Sequence, residues 1–125
     1  MSMDSGVWIE GEVRHGRMLG RELGFPTANL DVDDESIPDG VYVSRVVIDG
    51  REFRAVSNLG SNPSVGEGPR HLETHVIGFS GDLYGRVLRV ELLQKIRDER
   101  KFATLEELRR QIETDCRMVI SSLLF

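Results

Sequence analysis

The sequence is poor in cysteine, in lysine and in long apolar runs. Cys116 is the one cysteine among 125 residues, so no disulfide can form within the chain, which fits a reducing compartment. Lysine occurs only at 95 and 101, and arginine supplies nearly all the positive charge. The guanidinium fork suits bidentate contact with oxyanions, although genomic base composition explains such a bias more simply. A formal net charge of −5 argues against a binder of nucleic-acid backbone, while leaving room for a local basic patch that holds a nucleotide. No apolar stretch approaches a membrane span, and no signal-peptide pattern stands near Met1. The expectation is a cytoplasmic protein with no membrane and no nucleic-acid partner. Linkers, low-complexity tracts and internal repeats are also missing, so residues 1–125 read as one domain. At 39% hydrophobic and 30% charged, that domain is globular and large enough to bury one core.

What is present is mostly β patterning. VWIEGEV (7–13) predicts a first strand, residues 14–29 a long Gly- and Arg-rich loop, and residues 30–39 a turn-rich acidic stretch. VYVSRVVI (41–48) is β-branched. It runs into Asp49-Gly50, a two-residue hairpin signal, and REFRAVSNL (51–59) returns antiparallel. After the Gly/Pro loop at 60–70, LETHVIGF (72–79) predicts another strand, with Glu73, His75, Ile77 and Phe79 on one face. GRVLRVELLQKI (85–96) alternates, placing Leu88, Val90, Leu92 and Ile96 opposite Arg89, Glu91 and Lys95. The end is different. Thr104 to Glu107 has capping-box spacing. Leu105, Leu108, Ile112, Cys116 and Val119 then recur at helical intervals, predicting a helix over about 104–121 that packs on the outside of the sheet. Short antiparallel strands must hide their edges, and a small Greek-key barrel does so.

Three segments could carry chemistry. Gly11, Gly16, Gly20 and Gly24 punctuate the first loop beside Arg14, Arg17 and Arg21. Such a loop can turn backbone N–H groups toward a polyphosphate, or can be a plain flexible connection. It lacks the Gly-Lys-Ser/Thr ending of a P-loop. In GRELGFPTANL (20–30), Pro26 stiffens the backbone ahead of Thr27 and Asn29. Two residues apart on an extended chain, these present neutral oxygens to one side. They suit a Mg²⁺ ion that keeps phosphate oxygens and waters, or they close a turn by side-chain to backbone bonds. Glu73 is a candidate base whose partial burial would raise its pKa, or a rim carboxylate paired with an arginine. His75 reads as a packing or hydrogen-bonding residue, and His15 and His71 as isolated loop residues without zinc spacing. Asp82 reads as a turn residue. Tyr84 stands at a hairpin mouth, where core packing is the common use and a bound ring the other.

GEVRHGRMLGRELGFPTANL (11–30), GVY (40–42), NLGSNPS (58–64), ETHVIGFSGDLYG (73–85) and RDERKF (97–102) occur in the order found in ATP-dependent riboflavin kinases. The chain resembles most the kinase half of the bacterial bifunctional riboflavin kinase/FAD synthetase. The resemblance implies a mainly β fold, a six-stranded antiparallel Greek-key barrel with a C-terminal helix. It implies transfer of the ATP γ-phosphoryl to the 5′-hydroxyl of riboflavin, giving FMN and ADP. It also implies Mg²⁺ on Thr27 and Asn29, and Glu73 as the catalytic residue and a riboflavin contact. ATP is expected at Gly16, Arg17, Gly20, Arg21, Gly24, Pro26 and Thr27, with Leu83 and Tyr84 near the adenine. Arg97 and Phe102 match a flap over the flavin. Ser64 stands where the family usually has threonine, and Ile96 where leucine is common. The adenylyltransferase half has no counterpart in the chain, so FAD synthesis is not assigned. The expected partners are the substrates and a missing FAD synthetase domain, if the chain is an excised domain rather than a stand-alone kinase, with the kinase itself a monomer. The competing class is a non-catalytic flavin- or nucleotide-binding module on the same fold.

Overall fold

The computed structural model describes residues 6–14, 24–60 and 70–122. Six strands and one helix follow in order: β1 Val7–Glu12, β2 Ala28–Val32, β3 Gly40–Ile48, β4 Arg51–Gly60, β5 Arg70–Val76, β6 Val87–Arg97 and α1 Leu105–Ile120. All sheet neighbours are antiparallel, in the order β1-β6-β3-β4-β5-β2. The two outermost strands meet. The Arg14 amide donates to the Asn29 carbonyl at 2.8 Å, making a bridge that nearly closes the sheet into a barrel. Closure leaves little free edge for pairing with another chain.

The hairpin is the one the sequence predicts. Asp49 and Gly50 both take positive φ, 52° and 79°, as a two-residue turn between twisted strands requires. Inside the barrel, Leu30, Leu59, Leu72, Val46, Val90 and Leu88 are fully buried. A line of hydroxyls crosses the same interior: Ser44 and Ser57 oxygens lie 2.7 Å apart, and Ser57 and Thr74 oxygens 2.8 Å apart. Each hydroxyl satisfies the next, so the buried polar atoms carry little penalty.

Four expectations are corrected. Residues 28–32 form β2, not loop and turn. Ala28, Leu30 and Val32 alternate into the core, but the intervening Asn29 and Asp31 mask that alternation in so short a strand. Strand β5 ends at Val76, with Ile77 and Gly78 in a turn. It begins early enough to include His71, whose Nδ1 lies 3.2 Å from Asp31 Oδ1. Ile96 does not share a face with Leu88, Val90 and Leu92. The pairing of β3 with β6 skips Leu93 and Ile96 at two irregularities, and both residues pack against the second apolar cluster, with Val41, Val43, Val56, Cys116 and Val119. A bulge of this kind re-aims one side chain; here it gives the helix apolar surface to sit on. Finally, Leu105 is exposed on α1, because the helix meets the barrel through its later turns.

α1 starts as the capping box predicts. Thr104 Oγ1 accepts from the Glu107 amide at 3.1 Å, and the Glu107 carboxylate accepts from the Ala103 amide at 3.0 Å. Burial pushes the Cys116 thiol up to about 11, so it stays a neutral packing group. No helix among the described residues is long and apolar enough to cross a membrane.

The helix is also tied to the barrel by charge. Asp115, 1% exposed, takes Arg97 Nη2 at 2.8 Å, Arg97 Nε at 3.1 Å and Gln111 Nε2 at 3.0 Å. Removing one partner of such a pair strands the other. Asp115→Ala is expected to lower the unfolding free energy by about 3 kcal/mol in urea denaturation, the low end of the range for buried pairs because Arg97 keeps some solvent. A loss under ~1 kcal/mol would show that the pair does not clamp the helix.

Candidate active site

Strands β2, β5 and β4 are neighbours, and their registers align one polar residue from each. Asn29 stands opposite Glu73, and Glu73 opposite Asn58. The next row, Leu30, Leu72 and Leu59, points into the core. Side chains alternate along a strand, so Asn29, Glu73 and Asn58 form a row on the outer face. The row is sheltered there. Asn29 is 7% exposed, Glu73 and Asn58 are half-buried, and Asn58 Oδ1 is buried with no hydrogen-bond partner.

Thr27 enters from the turn before β2. Gly24 takes φ 91°, a conformation that side chains disfavour. The turn is then fastened to β5. The Pro26 carbonyl accepts from His75 Nδ1 at 2.9 Å, and the Phe25 ring meets the His75 ring edge-on at 5.4 Å. His75 is thus a packing and hydrogen-bonding residue, as the sequence suggests, with its proton on Nδ1. Ala28 lies in the core, and extended backbone carries its neighbours Thr27 and Asn29 to the outer face together.

The other flank is acidic. The Glu99 carboxyl occupies the place that a Cβ on Gly60 would take. Burial raises its pKa, and so do the charges of Asp39 and Glu73, against the opposing pull of Arg97. The segment after β6 therefore comes back over the end of β4, close to Glu73. Asp39 is itself held by Arg70 at 2.7 Å. Among the described residues no three His, Cys, Asp or Glu side chains gather as a metal cluster. The Thr27 hydroxyl and Asn29 carboxamide are hard, neutral oxygen donors, which suit a divalent cation that takes its remaining ligands from phosphate and water.

The family model described as "Flavokinase: Riboflavin kinase" matches residues 4–123. This chain belongs to the riboflavin kinase family. A bifunctional riboflavin kinase/FMN adenylyltransferase of Pseudomonas fluorescens is 47% identical over 109 residues, covering 86% of this chain and 35% of that protein. The chain thus spans about a third of the length of the curated relative it matches. Among solved structures, a Streptococcus pneumoniae chain named a macrolide-efflux protein superposes with a TM-score of 0.84 at 33% identity, over 94% of this chain and 40% of that one. The riboflavin kinase of Trypanosoma brucei superposes with a TM-score of 0.61 at 22% identity, over 90% and 76%, a likeness of fold.

Within this riboflavin kinase fold the expected residues fall in several places. Asn29 and Glu73 share one outer face, and Gly24, Pro26 and Thr27 lie in the segment that leads into β2. Gly16, Arg17, Gly20 and Arg21 lie outside the described residues. The Leu83 side chain is in the core, so only its backbone can face a ligand. Tyr84 is 53% exposed rather than packed in the core. Its amide takes Asp82 Oδ1 at 2.9 Å, which makes Asp82 the turn residue expected. Arg97 is engaged by Asp115 and lies 6.0 Å from the Phe102 ring, with Arg100 at 4.9 Å from the same ring. Sequence reasoning gave no role to Asn58 or Glu99. NLGSNPS (58–64) holds Asn58, but only the β4–β5 register sets it beside Glu73.

Glu99 gives a pH test. Its raised pKa means that the packed segment favours the protonated acid. That contribution is full below the ordinary glutamate value and is lost as pH rises through the folded value. Hydrogen exchange at residues 98–102, corrected for intrinsic rates, is expected to quicken from pH 4 to pH 7. In Glu99→Gln, which cannot ionise, the profile should be flat; an identical slope in both proteins would refute the coupling.

Proposed function

We propose that this chain transfers the γ-phosphoryl group of ATP to the 5′-hydroxyl of riboflavin, giving FMN and ADP, with Mg²⁺ as the working metal. The reading is carried by one observation, the register that sets Asn29 opposite Glu73, with Thr27 two residues before Asn29 in the chain. Membership of the riboflavin kinase family supports it.

Phosphoryl transfer depends on positioning and charge neutralisation more than on covalent help from the protein. In this reading Thr27 and Asn29 hold the metal, which when bound neutralises charge on the triphosphate. Backbone amides of the 16–24 loop cradle the β- and γ-phosphates, and Tyr84 with the Leu83 backbone flanks the adenine. Glu73 accepts a hydrogen bond from the ribityl 5′-hydroxyl and orients it in line with the γ-phosphorus. The new O–P bond forms as the bond from the γ-phosphorus to the β–γ bridging oxygen breaks. That electron pair leaves with ADP, and the hydroxyl proton passes to Glu73. The segment at 97–103, with Arg97 and Phe102, closes over the flavin and excludes water. Both halves of the site come from one chain, so a monomer suffices. The cytoplasm, where ATP is made available, is the compartment that suits this reaction. We assign the kinase step alone; the adenylyltransferase activity in the relative's name is left with that protein and its additional length. A non-catalytic flavin-binding module is disfavoured because Glu73, Thr27 and Asn29 are all retained.

Incubation with riboflavin, ATP and Mg²⁺ should give FMN, separable by chromatography. Glu73→Gln keeps the shape and removes the base, and turnover should fall by ~10²-fold or more. Turnover near that of the unmodified protein would discard Glu73 as the base. Thr27→Ala should lose kcat and shift the Mg²⁺ midpoint together, and an unchanged Mg²⁺ titration would remove Thr27 from the site.

A further inference from the structure

A buried carbonyl oxygen without a partner is rare, because its lost hydration goes uncompensated. Asn58 Oδ1 is such an atom, and it lies beside the residue proposed as the base. Its position in the row restricts what could satisfy it. Neighbouring strands are about 4.8 Å apart. Asn29 and Asn58 flank Glu73 from opposite sides, so they are separated by two strand spacings, roughly 10 Å. A cation held by Thr27 and Asn29 at about 2 Å is out of reach of Asn58. Asn58 therefore belongs to the acceptor's side of Glu73. Two residues further along the same face of β4 is Gly60, and the Glu99 carboxyl lies over it. Glu99 accepts hydrogen bonds when ionised and sits beyond Asn58, at the covered end of the strand. From Glu73 on β5 across to Asn58 and Gly60 on β4, the outer face thus makes a track with one unsatisfied carboxamide, closed at its far end by the Glu99 carboxyl.

We propose that the Asn58 carboxamide binds a secondary hydroxyl of the acceptor's polyol chain, and so makes the site selective for a polyhydroxylated side chain rather than for a terminal hydroxyl alone. A hydroxyl both donates and accepts, so it satisfies the amide whichever way the group is turned. This inference rests on the kinase reading and adds the residue that measures the chain leading to the reacting oxygen.

The test compares two acceptors: riboflavin, and a flavin carrying a 5-hydroxypentyl chain, which keeps the terminal hydroxyl and lacks the others. The unmodified protein should prefer riboflavin by about tenfold or more in kcat/KM, the worth of one well-made hydrogen bond lost. Asn58→Leu, which keeps the branched outline without the polar atoms, should raise KM for riboflavin by a similar factor. It should leave KM for ATP and the Mg²⁺ midpoint unchanged, and the preference between the two flavins should shrink toward unity. Without ligand, Asn58→Leu should melt no lower than the unmodified protein, since an unsatisfied polar group has been removed, yet lose most of the riboflavin-induced rise in Tm. Equal kcat/KM for the two flavins in the unmodified protein overturns the inference and leaves the kinase reading standing; this arm needs no variant. A lower Tm without ligand and an unchanged flavin preference in Asn58→Leu also overturn it, in favour of a structural role. If the unmodified protein phosphorylates neither flavin, the kinase reading fails and this inference fails with it.

Discussion

A six-stranded sheet this small has two edges, and the structure joins them through backbone at Asn29. The Arg14 amide reaches the Asn29 carbonyl on one side, and β5 pairs with Asn29 on the other. The residue proposed to hold the metal is therefore also where the barrel closes. Closure fixes its backbone from both sides and shelters its carboxamide. A site that needs oxygens held in fixed relative positions gains from this arrangement, because strand registers cannot slip without turning the core face outward.

The two faces of the same three strands do different work. Inward, the hydroxyls of Ser44, Ser57 and Thr74 satisfy one another among leucines and valines, and that interior is closed. Outward, Asn29, Glu73 and Asn58 stand in a row, and one of their atoms has no partner. The contrast is informative, since buried polar groups are otherwise paired and local departures from that rule concentrate where a protein meets its ligand.

Around the row, the charges are divided by element. Asp39 and Glu73 both lie near Glu99; its burial raises the Glu99 pKa, and repulsion from the two carboxylates adds to it. Arg97 offsets part of it while bound to Asp115 of the helix. The helix thus anchors the end of β6, from which the 98–102 segment departs, and the two bulged residues Leu93 and Ile96 give it apolar footing. Packing away from the Asn29–Glu73–Asn58 row in this way sets where the 98–102 segment begins.

Much of this was open to reading in the residues. Asp49-Gly50 dictated a hairpin because both positions must tolerate positive φ. Thr104 and Glu107 dictated the helix start because the first amides need acceptors. The run 20–30 with Glu73 pointed to the family through its residue types. Other features were hidden for physical reasons. β2 is five residues long, and its outward Asn29 and Asp31 conceal the alternation that its inward residues obey. The faces of Leu93 and Ile96 depend on bulges, which arise from pairing with another strand and leave no local mark. The Asn29–Glu73–Asn58 row brings together residues 29, 73 and 58, and no local propensity relates them. Local chemistry in the chain settled which segments would be strand, turn or helix, since those follow from each residue's own backbone and side-chain preferences. Which polar groups stand side by side was decided only in three dimensions, because register between distant strands is set by burying the whole core at once.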